Sequence, residues 1–262
     1  MLSKLLKYDL KWLYKTISIF YLLSFVFSLI VRGLSLLDKT FIVNSLTFMF
    51  KISAVGMIVA TVIITVARLW TRFIKNVYKD ESYLTHTLPV TKKDIYLAKV
   101  LSAVITSTTT VLVTIICLLI CYHSKESCDF IKQSLGLIEN TLDFDFVNML
   151  VIMSFVLILE LIIVTLNGYT GIILGFKSNR DKMIKTLICG FVSYLVTMVI
   201  TLLIVYISGL INGNVMTLIK DNIGNVETIK TLLSIIAIMY ACFIFIFYFF
   251  GKNKLEEGVN ID

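Results

Sequence analysis

The sequence predicts an all-α, polytopic membrane protein with six transmembrane helices, and three observations predict it. Of 262 residues, 58% are hydrophobic and 16% are charged, where a soluble domain has about 45–50% and about 25%. Six stretches are as long and as apolar as a bilayer crossing requires, about 20 residues at about 1.5 Å of rise each. Lys and Arg are concentrated in alternate connecting segments. The mean hydropathy of +0.93 and the single proline, Pro89, complete the picture. A disordered chain, a secreted disulfide scaffold and a nucleic-acid-binding domain are excluded, and a soluble enzyme is disfavoured. The net charge of +7 follows from short basic segments between apolar runs rather than from a phosphate-binding stripe.

Residues 1–15 read as an amphipathic helix on the membrane surface. At 100° per residue, Lys4, Lys7, Lys11 and Lys15 fall within about 80° of arc, with Leu2, Leu5, Leu6, Leu10, Trp12 and Leu13 opposite. Asp9 falls in the middle of the apolar face, where lipid disfavours it. That position points to a contact with protein, a basic residue of a cytoplasmic loop, unless the side chain snorkels or the helix frays.

The six expected spans run about Thr16–Leu37, Phe48–Trp70, Ala98–Tyr122, Phe146–Phe176, Thr186–Ile211 and Thr231–Phe250. The first is longer than a signal-peptide core and has no small-x-small cleavage site after Arg32, so it is expected to be retained. The fourth exceeds one bilayer thickness and is expected to tilt or project.

Basic residues orient the chain. One side has four in the N-terminal segment and seven between spans two and three and their helix ends (Arg68, Arg72, Lys75, Lys79, Lys92, Lys93, Lys99). It also has four between spans four and five (Lys177, Arg180, Lys182, Lys185) and two in the tail, residues 251–262. The opposite side has six, and Arg32 can snorkel to it. Both termini and residues 71–97 are therefore expected in the cytoplasm, with residues 123–145 and 212–230 outside. The first outer loop is acidic. The second, with Met216, Leu218, Ile219, Ile223, Val226 and Ile229, is either an interfacial loop or short helices dipping into the outer leaflet.

The chain carries no motif of a known catalytic or metal site. There is no Gly-x-x-x-x-Gly-Lys-Ser/Thr loop, no His-Glu-x-x-His and no Gly-x-Ser-x-Gly elbow. Its two histidines, His86 and His123, fall on opposite sides of the membrane. Of five cysteines, no two have Cys-x-x-Cys spacing; Cys117 and Cys121, four apart, read as packing.

The connection between spans two and three is the most informative segment. Asp80 is placed to cap a short helix ending near Pro89. Thr91 and Asp94 have capping-box spacing for the next helix. Tyr83, Leu84 and Leu88 put apolar surface on a loop with no core of its own. Docking to a soluble partner accounts for this, as does packing on neighbouring helix ends. Asp80–Val90, followed by Lys92-Lys93-Asp94 and Leu97-Ala98-Lys99, resembles the first cytoplasmic loop of type-2 ABC transporter permeases of Gram-positive bacteria. Those loops read Asp-Glu-x-Tyr-Leu-Thr-x-Thr-Leu-Pro-Val-Ser/Thr, often with glycine where this chain has Ser82. The start Leu5-Leu6-Lys7-Tyr8-Asp9-Leu10-Lys11 is similar to their N-terminal interfacial helix. The resemblance implies that Asp80, Glu81, Ser82, Tyr83, Leu84, Thr85, Leu88 and Pro89 form a coupling helix seated on a separate ABC ATPase subunit. That subunit would bind the ATP and Mg, with no cofactor in this chain. A second permease subunit, identical or a sister chain, and a bacterial cell membrane are also implied. The importer pattern Glu-Ala-Ala-x-x-x-Gly is absent, which favours export. An apolar path is compatible with peptides, antibiotics and lipids.

Glu160 lies inside the fourth span, where a charge is expensive and faces a bundle interior or a watery path. Ser107 and Thr110, with Thr106, Thr108 and Thr109 of the third span, reach a comparable depth and are expected to donate to it. Asn167, seven residues on, shares its face. This intramembrane polar cluster is a structural clamp or a substrate contact. Gly168, Gly171 and Gly175 permit close helix approach. Two rivals to the exporter subunit remain: a secondary transporter with Glu160 as its proton or ion site, and a membrane sensor or assembly protein without transport.

Overall fold

The computed structural model describes residues 2–37, 40–79, 81–87, 89–122, 142–178, 180–213, 215–217 and 226–257, with the side chains of residues 86, 142–150 and 226–227 left aside. Its helices are α1 (Leu2–Ser35), α2 (Phe41–Val77), α3 (Ser82–Thr87), α4 (Lys92–Tyr122), α5 (Leu142–Phe176), α6 (Lys182–Ile211) and α7 (Val226–Glu256). No strand occurs among the described residues, and six of the helices are long and apolar enough to cross a membrane. The protein is an all-α, multi-pass membrane protein.

The long helices overshoot the bilayer. The 37 residues of α2 reach about 56 Å against a hydrocarbon core of about 30 Å. The N-terminal amphipathic segment and the first span form one unbroken helix, α1. No proline or glycine interrupts residues 2–32, so nothing forces a break at Lys15. Lys4, Lys7, Lys11 and Lys15 face outward as expected. The middle of the opposite face meets protein rather than lipid, because Asp9, Leu13 and Ile17 are all buried, one above another at four-residue spacing. At the other terminus α7 continues six residues beyond the expected span, and Leu255 is fully buried.

In the bundle, α1 lies against α2 and α4, while α5 packs on α6, α7, α4 and α2. The main core lies toward one end, where Leu13 and Ile17 of α1 meet Leu69 and Phe73 of α2, Tyr96 and Val100 of α4, and Leu166 and Tyr169 of α5. Phe73 stacks on Tyr169 at 4.3 Å, and Tyr78 on Phe176 at 4.5 Å. Ion pairs Lys177–Glu257 (2.6 Å) and Lys93–Glu256 (3.4 Å) bring the α5–α6 turn, the start of α4 and the end of α7 together at this end. It is the basic end.

Close approach between α5 and α6 depends on glycine. A Cβ on Gly171 would lie 2.6 Å from both Cα and N of Gly190, backbone atoms that cannot turn aside. Thr197 and Gly209 are the buried residues of α6; its broad apolar outer face suits lipid, which is as apolar as leucine.

Candidate functional site

At the basic end, side chains from three elements, α1, α2 and α4, converge beneath α3. The helix is short because it is bounded chemically. Pro89 follows it, and Thr91 then restarts the chain as a helix. The Thr91 hydroxyl accepts the Asp94 amide at 3.2 Å and donates to the Asp94 carboxylate at 2.8 Å. The expected capping box is thus present, with the shorter Asp reaching the hydroxyl instead of the backbone. At the start of α3 the Glu81 carbonyl accepts both the amide (3.0 Å) and the hydroxyl (2.9 Å) of Thr85. The expected cap residue Asp80, and Leu88, lie outside the described residues.

Six residues of helix leave two faces. Ser82 and Thr85, one turn apart, are buried toward the bundle. Tyr83 and Leu84 lie on the open side, 75% and 66% exposed. The polar face is inward and the apolar face outward, the reverse of an ordinary surface helix.

Glu81 anchors α3. Its carboxylate accepts from Arg72 Nη1 at 2.8 and 3.1 Å, and from Asn76 Nδ2 at 2.9 Å. The same Arg72 donates from Nε to Asp9 at 2.9 Å. Asp9 also receives Lys99 Nζ on both oxygens, at 2.6 and 2.8 Å. Lys99 donates to Asn76 Oδ1 at 3.1 Å. Asp9, Arg72 and Lys99 are buried. Two carboxylates therefore balance two cations in a chain running from α3 through α2 to α1 and α4. Burial makes each member dependent on the rest, since an ion left unpaired there costs several kcal/mol. Around the network a cavity of about 420 Å³ opens between Leu5 and Tyr8 of α1, Leu84 and Thr87 of α3, and Ile95 of α4. Tyr8 and Leu84 are both exposed, so they make an apolar rim around a charged floor.

The contact expected of Asp9 is present, with partners on helix ends instead of a loop. Arg72, Asn76 and Lys99 complete a site of which the segment read from the sequence is only part. A lone carboxylate on an apolar face is the signal that called for them. Lys4, Lys7 and Lys11 take no part.

The intramembrane cluster is arranged otherwise than expected. Thr110 bonds Tyr21 (2.7 Å) and Thr65 (3.1 Å), and Thr109 bonds Tyr14 (2.8 Å). These hydroxyls face α1 and α2, not Glu160. Ser107 Oγ is buried with no partner among the described residues. Asn167 ties α5 to α6, accepting from Ser193 and donating to the Ile163 carbonyl at 3.1 Å. Glu160 shares that face but has no hydrogen bond or ion pair among the described residues. It borders a separate cavity of about 230 Å³ lined by Tyr194, Thr197, Thr201 and Tyr240. Above Asn167, Gly168 accommodates the Trp70 indole, whose N–H donates to the Thr165 carbonyl at 3.2 Å.

No family model, curated protein or solved structure matches this chain.

Proposed function

We propose that the chain is the membrane-spanning permease subunit of an ATP-driven ABC exporter, and that α3 is its coupling helix. The observation that carries this reading is the inverted amphipathicity of α3, with Glu81 clamped inward and Tyr83 and Leu84 presented outward. A helix built this way is rigidly fixed to its own protein and apolar toward a partner. A push on α3 reaches α2 through Glu81–Arg72, and reaches α1 and α4 through Asp9 and Lys99. Three spanning helices then move with one short one, which is what driving a transport cycle from a separate ATPase requires. In this reading both termini are cytoplasmic, a second permease completes the path, and ATP hydrolysis with its Mg occurs in the partner.

The double substitution Tyr83→Asp with Leu84→Asp tests it. Both residues lie outside the spans and are largely exposed, so insertion and folding are retained. Each buried apolar side chain contributes about 1.5–3 kcal/mol, so losing two weakens a modest interface by about a hundredfold or more. The ATPase is expected to dissociate, or its hydrolysis to lose substrate stimulation, at equal permease abundance. Unchanged association and stimulation would reject the assignment of α3.

One observation favours the rival transporter reading, namely the half-buried Glu160, with no hydrogen bond or ion pair among the described residues, beside its cavity. Proton coupling would make Glu160→Gln inactive. ATP-driven transport at the wild-type rate by Glu160→Gln removes that reading.

A further inference from the structure

One cation beside the buried network stands outside its charge balance. Asp9 and Glu81 neutralise Arg72 and Lys99. Arg68, one helical turn further into α2, has no carboxylate partner among the described residues. It is nevertheless held in place. Its guanidinium lies over the Trp12 ring, 4.1 Å from the centroid, and Nη2 donates to the Thr16 hydroxyl at 2.6 Å. Its Nε is buried without a hydrogen-bond partner among the described residues. A long basic side chain that merely escapes to water would be extended and loose; this one is half-buried, set against an aromatic ring and hydrogen-bonded.

The level of the site in the membrane is marked independently. The chain has two tryptophans, Trp12 and Trp70. The first touches Arg68 and the second lies two residues beyond it on α2. Tryptophan collects where hydrocarbon meets headgroup; Trp70 is seated against Gly168 of α5, so it is Trp12, in contact with Arg68, that argues for the depth of lipid phosphates. Lys15, beside Thr16, is exposed on the same stretch of α1.

We propose that Arg68, Trp12 and Thr16, assisted by Lys15, form a binding site for the phosphate of an anionic phospholipid on the α1–α2 seam. The guanidinium offers a planar fork to phosphate oxygens. Its charge, which no carboxylate among the described residues pairs, selects with Lys15 a headgroup carrying net negative charge over a zwitterionic one. The site follows from the membrane location alone and stands whether or not the protein has an ATPase partner.

The test is titration of the purified full chain in detergent with phosphatidylglycerol, counting bound lipid by native mass spectrometry. Arg68→Gln is expected to bind about tenfold more weakly, the loss of one charge-assisted bidentate contact. Lys4→Gln, at the far end of the basic stripe, is expected to match wild type. Arg68→Lys keeps the charge against Trp12 without the fork and is expected to fall between the two. It decides the matter if Arg68→Gln does not elute as a folded protein. Wild-type affinity in Arg68→Lys and Arg68→Gln would overturn the proposal, as would equal binding of phosphatidylcholine. Displacement of the lipid by millimolar inorganic phosphate would overturn the lipid assignment in favour of a free-anion site.

Discussion

Asp9 bears two buried cations, and this makes it the most sensitive residue of the site. Asp9→Asn keeps the shape and removes the charge, leaving Arg72 and Lys99 with Glu81 alone. Breaking such a pair from one side costs about 3–5 kcal/mol. The thermal midpoint in detergent is therefore expected to fall by several degrees or more, and adding Lys99→Met, which restores neutrality, to recover part of the loss. A midpoint unchanged by Asp9→Asn would show that the pairs contribute nothing. The need for a partner at Asp9 was legible in the sequence, because a carboxylate stood among leucines. Which cations answer it was not, since Arg72 and Lys99 are 63 and 90 positions away. Glu160 teaches the converse. Thr106–Thr110 reach a similar depth, but depth along a helix does not specify azimuth, and the Thr109 and Thr110 hydroxyls turn toward α1 and α2.

Among the elements, α3 was the most readable. Its stop at Pro89 and the restart at Thr91 and Asp94 are local signals, and local signals survive folding. The continuity of α1 was less so, because the change from surface-seeking to membrane-spanning composition at Lys15 is a change of environment and not of backbone. Glycine at the α5–α6 seam gives a sharp expectation. Gly171→Ala drives a methyl into the backbone of α6 and is expected to destabilise by about 1–3 kcal/mol, as overpacking does. Gly190→Ala meets its nearest atoms at 3.9 Å, ordinary contact, and is expected to be tolerated. Equal thermal midpoints for the two variants would contradict the seam. The tie between the α5–α6 turn and the end of α7 has a pH signature. Hydrogen bonds from Lys177 and Lys254 hold the Glu257 carboxyl down at about 2. A carboxyl depressed on folding contributes stability that is present above its unfolded value and lost as pH falls through the folded one. The tie is therefore expected to persist through pH 4 and to release near pH 2. Its exposure makes it weaken with salt. A carbon-13 titration of Glu257 with a midpoint near 4.5 would refute it.

At the scale of the whole molecule, six apolar runs and one basic end follow from composition, and these were fully legible. The orientation in the membrane rests on the Lys and Arg asymmetry. An impermeant thiol reagent on intact cells is expected to label Cys128 in a variant lacking Cys117, Cys121, Cys189 and Cys242; labelling only after the membrane is opened would invert the topology. The function proposed for the molecule requires a second kind of chain, and the most direct measurement is to look for it. The protein, tagged at its own expression level and purified gently from its native membrane, is expected to bring down a P-loop ATPase in near-equal amount. That complex should hydrolyse ATP, and the Tyr83→Asp, Leu84→Asp variant should arrive without it. Purification of the wild-type chain free of any ATP-hydrolysing partner, in the same detergent and at the same yield, would contradict the account.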